Sequence, residues 1–183
     1  MKKVLCAVIL SSLFLSMNSF AGSEGQSYFG ASYHMGTYEE DGLPSADLTG
    51  LNIKGGAYIA DNVAVEGRYT LGMDSDTVSV FVPGFGNVDV ELELDSAISI
   101  FVKGDLPVSN AANIYGLIGF TKAELTATVL GSSYTDDDSG LSYGFGVEAA
   151  INDDMFINGE YIMYLDEDDY EYTGINIGIT KLF

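Results

Sequence analysis

The sequence has no tryptophan, one histidine, one cysteine and only 7 basic residues among 183. Each scarcity excludes something. The lone cysteine, Cys6, lies in an apolar leader, so the rest of the chain has no disulfide and no thiolate centre for metal or redox chemistry. Set against 27 acidic residues, the few basic ones leave a formal net charge of −20. That balance excludes nucleic acid and anionic lipid surfaces as the main partners. No run of 18 apolar residues follows the leader, so no transmembrane helix is expected. Acidic disordered chains are poor in aromatic and β-branched residues. This chain has 12 tyrosines, 10 phenylalanines and 47% hydrophobic residues, so it folds.

The first residues are a leader. Met1-Lys2-Lys3 is basic, Val4 to Leu15 is apolar, and Ser19-Phe20-Ala21 places small residues where a signal peptidase reads them. At ~1.5 Å per residue the apolar run reaches about 18 Å, short of the roughly 30 Å hydrocarbon core, so it is no membrane anchor. Residues 1–21 are therefore expected to be a cleaved signal peptide, with 22–183 as the mature domain. Loss of Lys2 and Lys3 takes the basic count from 7 to five against 27 acids, a net charge near −22.

What the rest has in abundance is alternation of period two, the mark of strands with unlike faces. In 28–38, Phe29, Ala31, Tyr33 and Met35 oppose Gly30, Ser32, His34 and Gly36. In 49–60, Leu51, Ile53, Ala57 and Ile59 oppose Asn52, Lys54 and Gly56. In 63–73, Val63, Val65, Tyr69, Leu71 and Met73 oppose Glu66, Arg68 and Thr70. In 92–104, Leu92, Leu94, Ile98, Ile100 and Val102 oppose Glu93, Asp95, Ser99 and Lys103. In 113–128, Tyr115, Leu117, Ala123 and Leu125 oppose Lys122 and Glu124, with Ile118 and Phe120 on the polar side. Residues 141–151, 155–165 and 174–183 repeat the pattern, the last two with Asn158 and Glu160 and then Asn176 and Gly178 on the polar face. Short turns (Asp61-Asn62, 152–154 and a moderate 105–112) alternate with longer acidic loops at 39–48, 74–91, 130–140 and 166–171, which carry no basic residue.

Alternation alone does not say which face is inside. A soluble lipocalin-like barrel would turn the apolar face inward. Here the polar face is mostly Gly, Ser and Asn with charges of both signs, which suits a crowded interior. Each strand also offers roughly 9–11 residues, the length that crosses a bilayer at a tilt. Lipid tolerates only structures that pair every backbone group internally, helices or closed barrels. The sequence therefore predicts an all-β chain, an eight-stranded antiparallel up-and-down transmembrane β-barrel.

The stretches YFGASYHMG, NVAVEGRYTLG, SYGFGVEAAINDDMFINGEYIMY and GINIGITKLF resemble the small eight-stranded outer-membrane barrels, the OmpA barrel domain and the OmpX/Ail type. The resemblance spans residues 22–183. It implies a Gram-negative outer-membrane location, a monomer embedded in lipid and lipopolysaccharide, and no cofactor. It also implies that Ile175, Ile177, Ile179 and Phe183 form the signal read by the barrel-assembly machinery, although Lys181 stands where the family usually has an aromatic residue. Within this family the expected function is non-enzymatic: surface interaction, adhesion or envelope maintenance, with an extracellular protein ligand at the loops. A narrow cation-preferring channel is the main alternative.

Three groups of residues are candidates for chemistry. Lys54, Arg68, Lys103 and Lys122 share the inward parity with Glu66, Glu93, Asp95, Glu124, Glu148 and Glu160. An eight-stranded barrel is just wide enough for side chains to fill, and unpaired buried charge is very costly, so these residues predict an ion-pair network plugging the lumen. The runs Asp136-Asp137-Asp138 and Asp166-Glu167-Asp168-Asp169 offer carboxylates to Ca²⁺ or Mg²⁺, yet neither has EF-hand spacing and a solvated acidic surface is the plainer reading. His34, with Ser32 on its face and Ser75 and Asp76 at another strand end, is the one place for lipid-modifying chemistry, which needs a base within about 3 Å of its nucleophile. Residues 77–94 read as a hairpin extending beyond the membrane, with an edge open to a partner strand.

Overall fold

The computed structural model describes residues 22–40, 42–84, 86–167 and 170–183. Residues 1–21, the expected leader with Cys6 and its cleavage site, and Asp168 and Asp169 lie outside the described residues. Eight strands follow in order: β1 (Ser27–Glu40), β2 (Ala46–Ala60), β3 (Val63–Val82), β4 (Gly86–Ser109), β5 (Ala112–Val129), β6 (Ser132–Ala150), β7 (Met155–Asp166) and β8 (Tyr170–Leu182). Each pairs antiparallel with the next, and β8 closes on β1 through a register that includes Ala31 opposite Ile179 and Tyr33 opposite Ile177. Closure leaves no sheet edge in the body of the barrel.

At one end the turns are short. Asp61-Asn62 joins β2 to β3 with Asn62 at φ 65°, a left-handed conformation that asparagine tolerates and tight hairpins require. Asp105 to Ser109, expected in a connection, belong to β4. At the other end β3, β4, β5 and β6 run past the rest, leaving β3 roughly nine residues or about 30 Å beyond Met73. The turn Leu130-Gly131 closes β5 onto β6 directly, so 132–140, expected as a loop, is strand. The reason is plain in its composition: Ser132 to Ser139 are exposed on both faces, so no hydrophobic alternation marks them.

The apolar parity faces outward on β1, β2, β3, β6, β7 and β8. Ile53, Tyr69, Phe145, Ile157 and Ile177 are all exposed, and Phe145 at 64% packs against nothing on the inside. Two strands depart from the sequence reading. On β5 the faces are reversed: Tyr115, Leu117, Thr121 and Ala123 point inward, while Ile114, Ile118, Phe120, Lys122 and Glu124 point outward. Apolar residues occupy both parities there, and cross-strand neighbours decide. Ile118 lies between Val102 and Tyr143, both outward, and directly opposed residues share a face. On β4 the register shifts between Leu94 and Ser96, so Asp95 is the extra residue of a bulge. Below it Ile98, Ile100 and Val102 face out as expected; above it Leu92 and Leu94 turn inward and Glu93 turns out.

The interior is layered. Inward glycines make space for rings: a Cβ at Gly56 would lie 2.4 Å from the Tyr28 ring, and one at Gly146 2.4 Å from that of Tyr115. Polar and charged side chains fill the half nearest the short turns. Towards the long hairpins lies an apolar layer that includes Leu48, Leu94, Ile162, Tyr164, Leu165 and Tyr172.

Candidate functional site

The most concentrated chemistry lies inside the barrel. Lys54 comes from β2, Glu66 and Arg68 from β3 and Glu160 from β7; all four are buried. Glu160 Oε1 accepts from Lys54 Nζ at 2.6 Å and Oε2 from Arg68 Nη1 at 2.6 Å, while Arg68 Nη2 reaches Oε1 at 3.1 Å. This is the bidentate fork that a guanidinium makes best. Arg68 Nε donates to Glu66 Oε1 at 2.5 Å. Tyrosine hydroxyls complete the shell: Tyr28 donates to Glu66 at 2.7 Å and Tyr115 to Glu160 at 2.7 Å.

Nearer the short turns sits a second group. Lys103 on β4 lies 2.9 Å from Asp105 Oδ1 and 3.3 Å from Glu148 Oε2. Tyr58 donates to Asp105 at 2.7 Å, Asn113 donates to Glu148 at 3.0 Å, and the Lys103 ammonium stands 4.3 Å over the Tyr115 ring. Three cations thus face four carboxylates across strands β2, β3, β4, β6 and β7. Charges so enclosed are tolerable only because each has partners on several sides.

The sequence reading missed Asp105, which it left in a turn, and the tyrosine shell. Tyr28 and Tyr58 share the parity of Gly30 and Lys54, and that was the available signal. Conversely, four expected members are not in the network. Lys122 is exposed and pairs outside with Asp137 at 2.7 Å. Glu124 and Glu93 are exposed on the outer face, and Asp95 sits at the bulge, where it accepts from Thr126 Oγ1 at 2.6 Å.

His34 is wholly buried above the ion pairs. Its Nε2 is 2.6 Å from the Tyr172 hydroxyl and its Nδ1 2.9 Å from Asn176 Oδ1. Asn176 uses its amide to donate to Tyr164 at 2.9 Å, so its oxygen accepts and Nδ1 carries the proton. Nε2 is then the acceptor for Tyr172. Both nitrogens are engaged, neither with serine: Ser32 Oγ has no partner, and Ser75 donates to Glu91 at 2.6 Å.

At the long-hairpin end the acidic runs do not form one nest. Asp136, Asp137 and Asp138 are successive strand residues and alternate in direction. Asp137 turns out to Lys122, and Asp138 turns in and accepts from the Tyr170 hydroxyl. Among the described residues no group of three or more His, Cys, Asp or Glu side chains converges on a metal-sized point. Asp166 and Glu167 are exposed at the end of β7. Tyr38 and Tyr170 stack at 5.8 Å, and Tyr38 donates to Glu40 at 3.1 Å. Burial, reinforced by the Glu40 carboxylate, pushes the Tyr38 hydroxyl up to about 12. Burial and the bond to Asp138 raise Tyr170 as well.

At the C-terminus Ile175, Ile177 and Ile179 face outward on β8, and Phe183 is exposed just past it. The Phe183 amide donates to Ser27 at 2.8 Å. Lys181 bridges to Asp154 at 3.4 Å and lies 5.5 Å over the Phe183 ring.

A sequence profile for the outer membrane protein beta-barrel domain matches residues 7–183. No curated protein sequence matches the chain. Among solved structures, Ail, the attachment invasion locus protein of Yersinia pestis, superposes with a TM-score of 0.63 at 19% identity, covering 87% of this chain and 99% of its own. Ail in complex with the heparin analogue sucrose octasulfate gives 0.61 at 18% identity, with 87% and 99% covered. The outer membrane protein OprG from Pseudomonas aeruginosa gives 0.63 at 14% identity, with 91% and 99% covered. At these identities the likeness is one of fold.

Proposed function

We propose a function on the premise that the chain belongs to the outer membrane protein β-barrel domain family and resides in the Gram-negative outer membrane: it is a non-conducting barrel that displays an acidic sheet to cationic partners outside the cell. Outer-membrane barrels keep short turns in the periplasm and longer loops outside, and the chain is read in that orientation.

One observation carries the reading. All five basic side chains of residues 22–183 are in ion pairs: Lys54, Arg68 and Lys103 inside, Lys122 with Asp137 and Lys181 with Asp154. The lumen is thereby filled, and the outer hairpins keep acids such as Glu40, Glu93 and Asp136 with no cation of the chain opposite them. Such a surface attracts polycations and repels polyanions over about a Debye length. Ail binds a polysulfated ligand; the acidity of this chain argues for the opposite charge class.

The rival reading, a narrow cation-preferring channel, draws on the same acidic mouth. Against it stand Arg68 and Lys54, clamped to Glu160 across the passage.

The test is binding of polylysine to the intact barrel in nanodiscs, compared with a variant in which residues 75–92 are replaced by a short turn. The expected result is binding that weakens steeply with salt and falls on trimming the hairpin. Equal binding of both forms would refute the surface reading. A signal peptide cleaved after Ala21 and recognition of β8 by the assembly machinery complete the proposal; mass analysis of the outer-membrane form tests the first.

A further inference from the structure

A cavity of about 350 Å³ opens at the outer mouth, above the apolar layer of the lumen. Its wall is the inner face of the protruding sheet, and Val78, Val90, Leu92 and Leu125 line it. The β4 bulge turns Val90 and Leu92 inward, Leu125 follows the inward face of β5 and Val78 keeps the parity of Glu66 and Arg68 on β3, so the cavity is built by the fold. Facing them stand the stacked rings of Tyr38 and Tyr170. An apolar hollow of this size, left open to water, has the dimensions and character of a small-molecule site.

Two carboxylates fix which molecule. Asp136 lies in register with Leu125 and Asp138 with Ala123, both inward-facing, so these two acids share the cavity's side of β6. Asp138 is held by the Tyr170 hydroxyl. Asp136 accepts from the neighbouring Asp137 amide at 3.0 Å, and among the described residues no cation pairs with it. Each of the chain's five described cations is paired elsewhere, so no lysine or arginine neutralises this pair of acids. Tyrosine faces add a surface that favours a cation over a neutral group.

We propose that this mouth cavity binds a small organic cation, an ammonium group on an aromatic or short alkyl body, with the body against Val90, Leu92 and Leu125 and the ammonium between Asp136 and Asp138. The proposal narrows the acidic-surface reading above and rests on it.

The experiment is calorimetric titration of the intact barrel in zwitterionic nanodiscs, with empty nanodiscs subtracted. The probes are 4-phenylbutylamine, 4-phenylbutanol and 4-phenylbutyrate, which share one body and differ in charge. The amine is expected to bind, the alcohol at least about tenfold more weakly, and the carboxylate not at all, since a charged hydrogen bond is the difference between them. Asp136→Asn combined with Asp138→Asn should reduce amine binding at least about tenfold. Ala127→Trp, which fills the hollow, should abolish binding of every probe. Asp61→Asn combined with Asp153→Asn, in the periplasmic turns, should change nothing and controls for net charge. Equal binding of amine and alcohol, no amine binding, or an unchanged affinity in the double variant would overturn the proposal. If the amine fails while polylysine still binds in the hairpin-dependent manner, the cavity is wrong and the surface reading stands. If polylysine also fails, both fall.

Discussion

Arg68 ties two buried carboxylates of the lumen together. It holds Glu66 through Nε and Glu160 through both terminal nitrogens, and Lys54 shares Glu160. Arg68→Ala would leave Glu66 with only the Tyr28 hydroxyl. The expected cost is roughly 3–5 kcal/mol, the usual penalty for stranding a buried charge, read as a lower urea midpoint in lipid. Adding Glu66→Gln removes the stranded charge and should recover part of the loss; a variant as stable as the parent would mean the pairs contribute little. A second residue-scale prediction concerns Tyr38. Its hydroxyl is raised from 10.0 to about 12, first by burial and then by Glu40. The folded state therefore retains the proton longer than the unfolded state does. Stability contributed by the protonated hydroxyl is intact below about 10 and is lost as pH rises towards 12. Ultraviolet titration should show Tyr38 moving down towards, but not reaching, the unperturbed range in Tyr170→Ala, which removes the stacked ring and leaves Glu40 in place.

At the scale of the strand, alternation carries most of the architecture. It fixes the lipid-facing rows of β1, β2, β3, β7 and β8, and with them the inward placement of Lys54, Glu66, Arg68 and Glu160, because one parity is apolar and the other is not. It does not carry partners. That Arg68 reaches Glu160 follows from closing the ring between β8 and β1, which no local pattern reports. It fails outright where both parities are apolar, as on β5, or where a bulge inserts a residue, as at Asp95. The outer half of β6 is invisible for the opposite reason, being polar on both faces. The reversal of β5 has a direct check. In chains beginning at Gly22, which have no native thiol, Lys122→Cys should react readily with a water-soluble maleimide and Thr121→Cys should not. The opposite order would restore the faces that alternation alone suggests, and would return Lys122 and Glu124 to the lumen.

For the whole molecule, the unequal charge is sorted by place. Cations are spent inside or in two local surface pairs, and the acids left over gather at the outer end. On the proposed reading, a barrel arranged this way is sealed by its own side chains and meets its surroundings with an acidic, tyrosine-lined rim. The sealing is the claim on which the surface function depends, since an open acidic lumen would make the molecule a cation pore instead. Single-channel recording of the purified wild-type barrel in planar bilayers tests it most directly. The expected record is a flat baseline with no stable steps, with steps appearing when Lys54 and Glu160 are both replaced by alanine. Long-lived ohmic openings of the wild type, selective for cations, would contradict it.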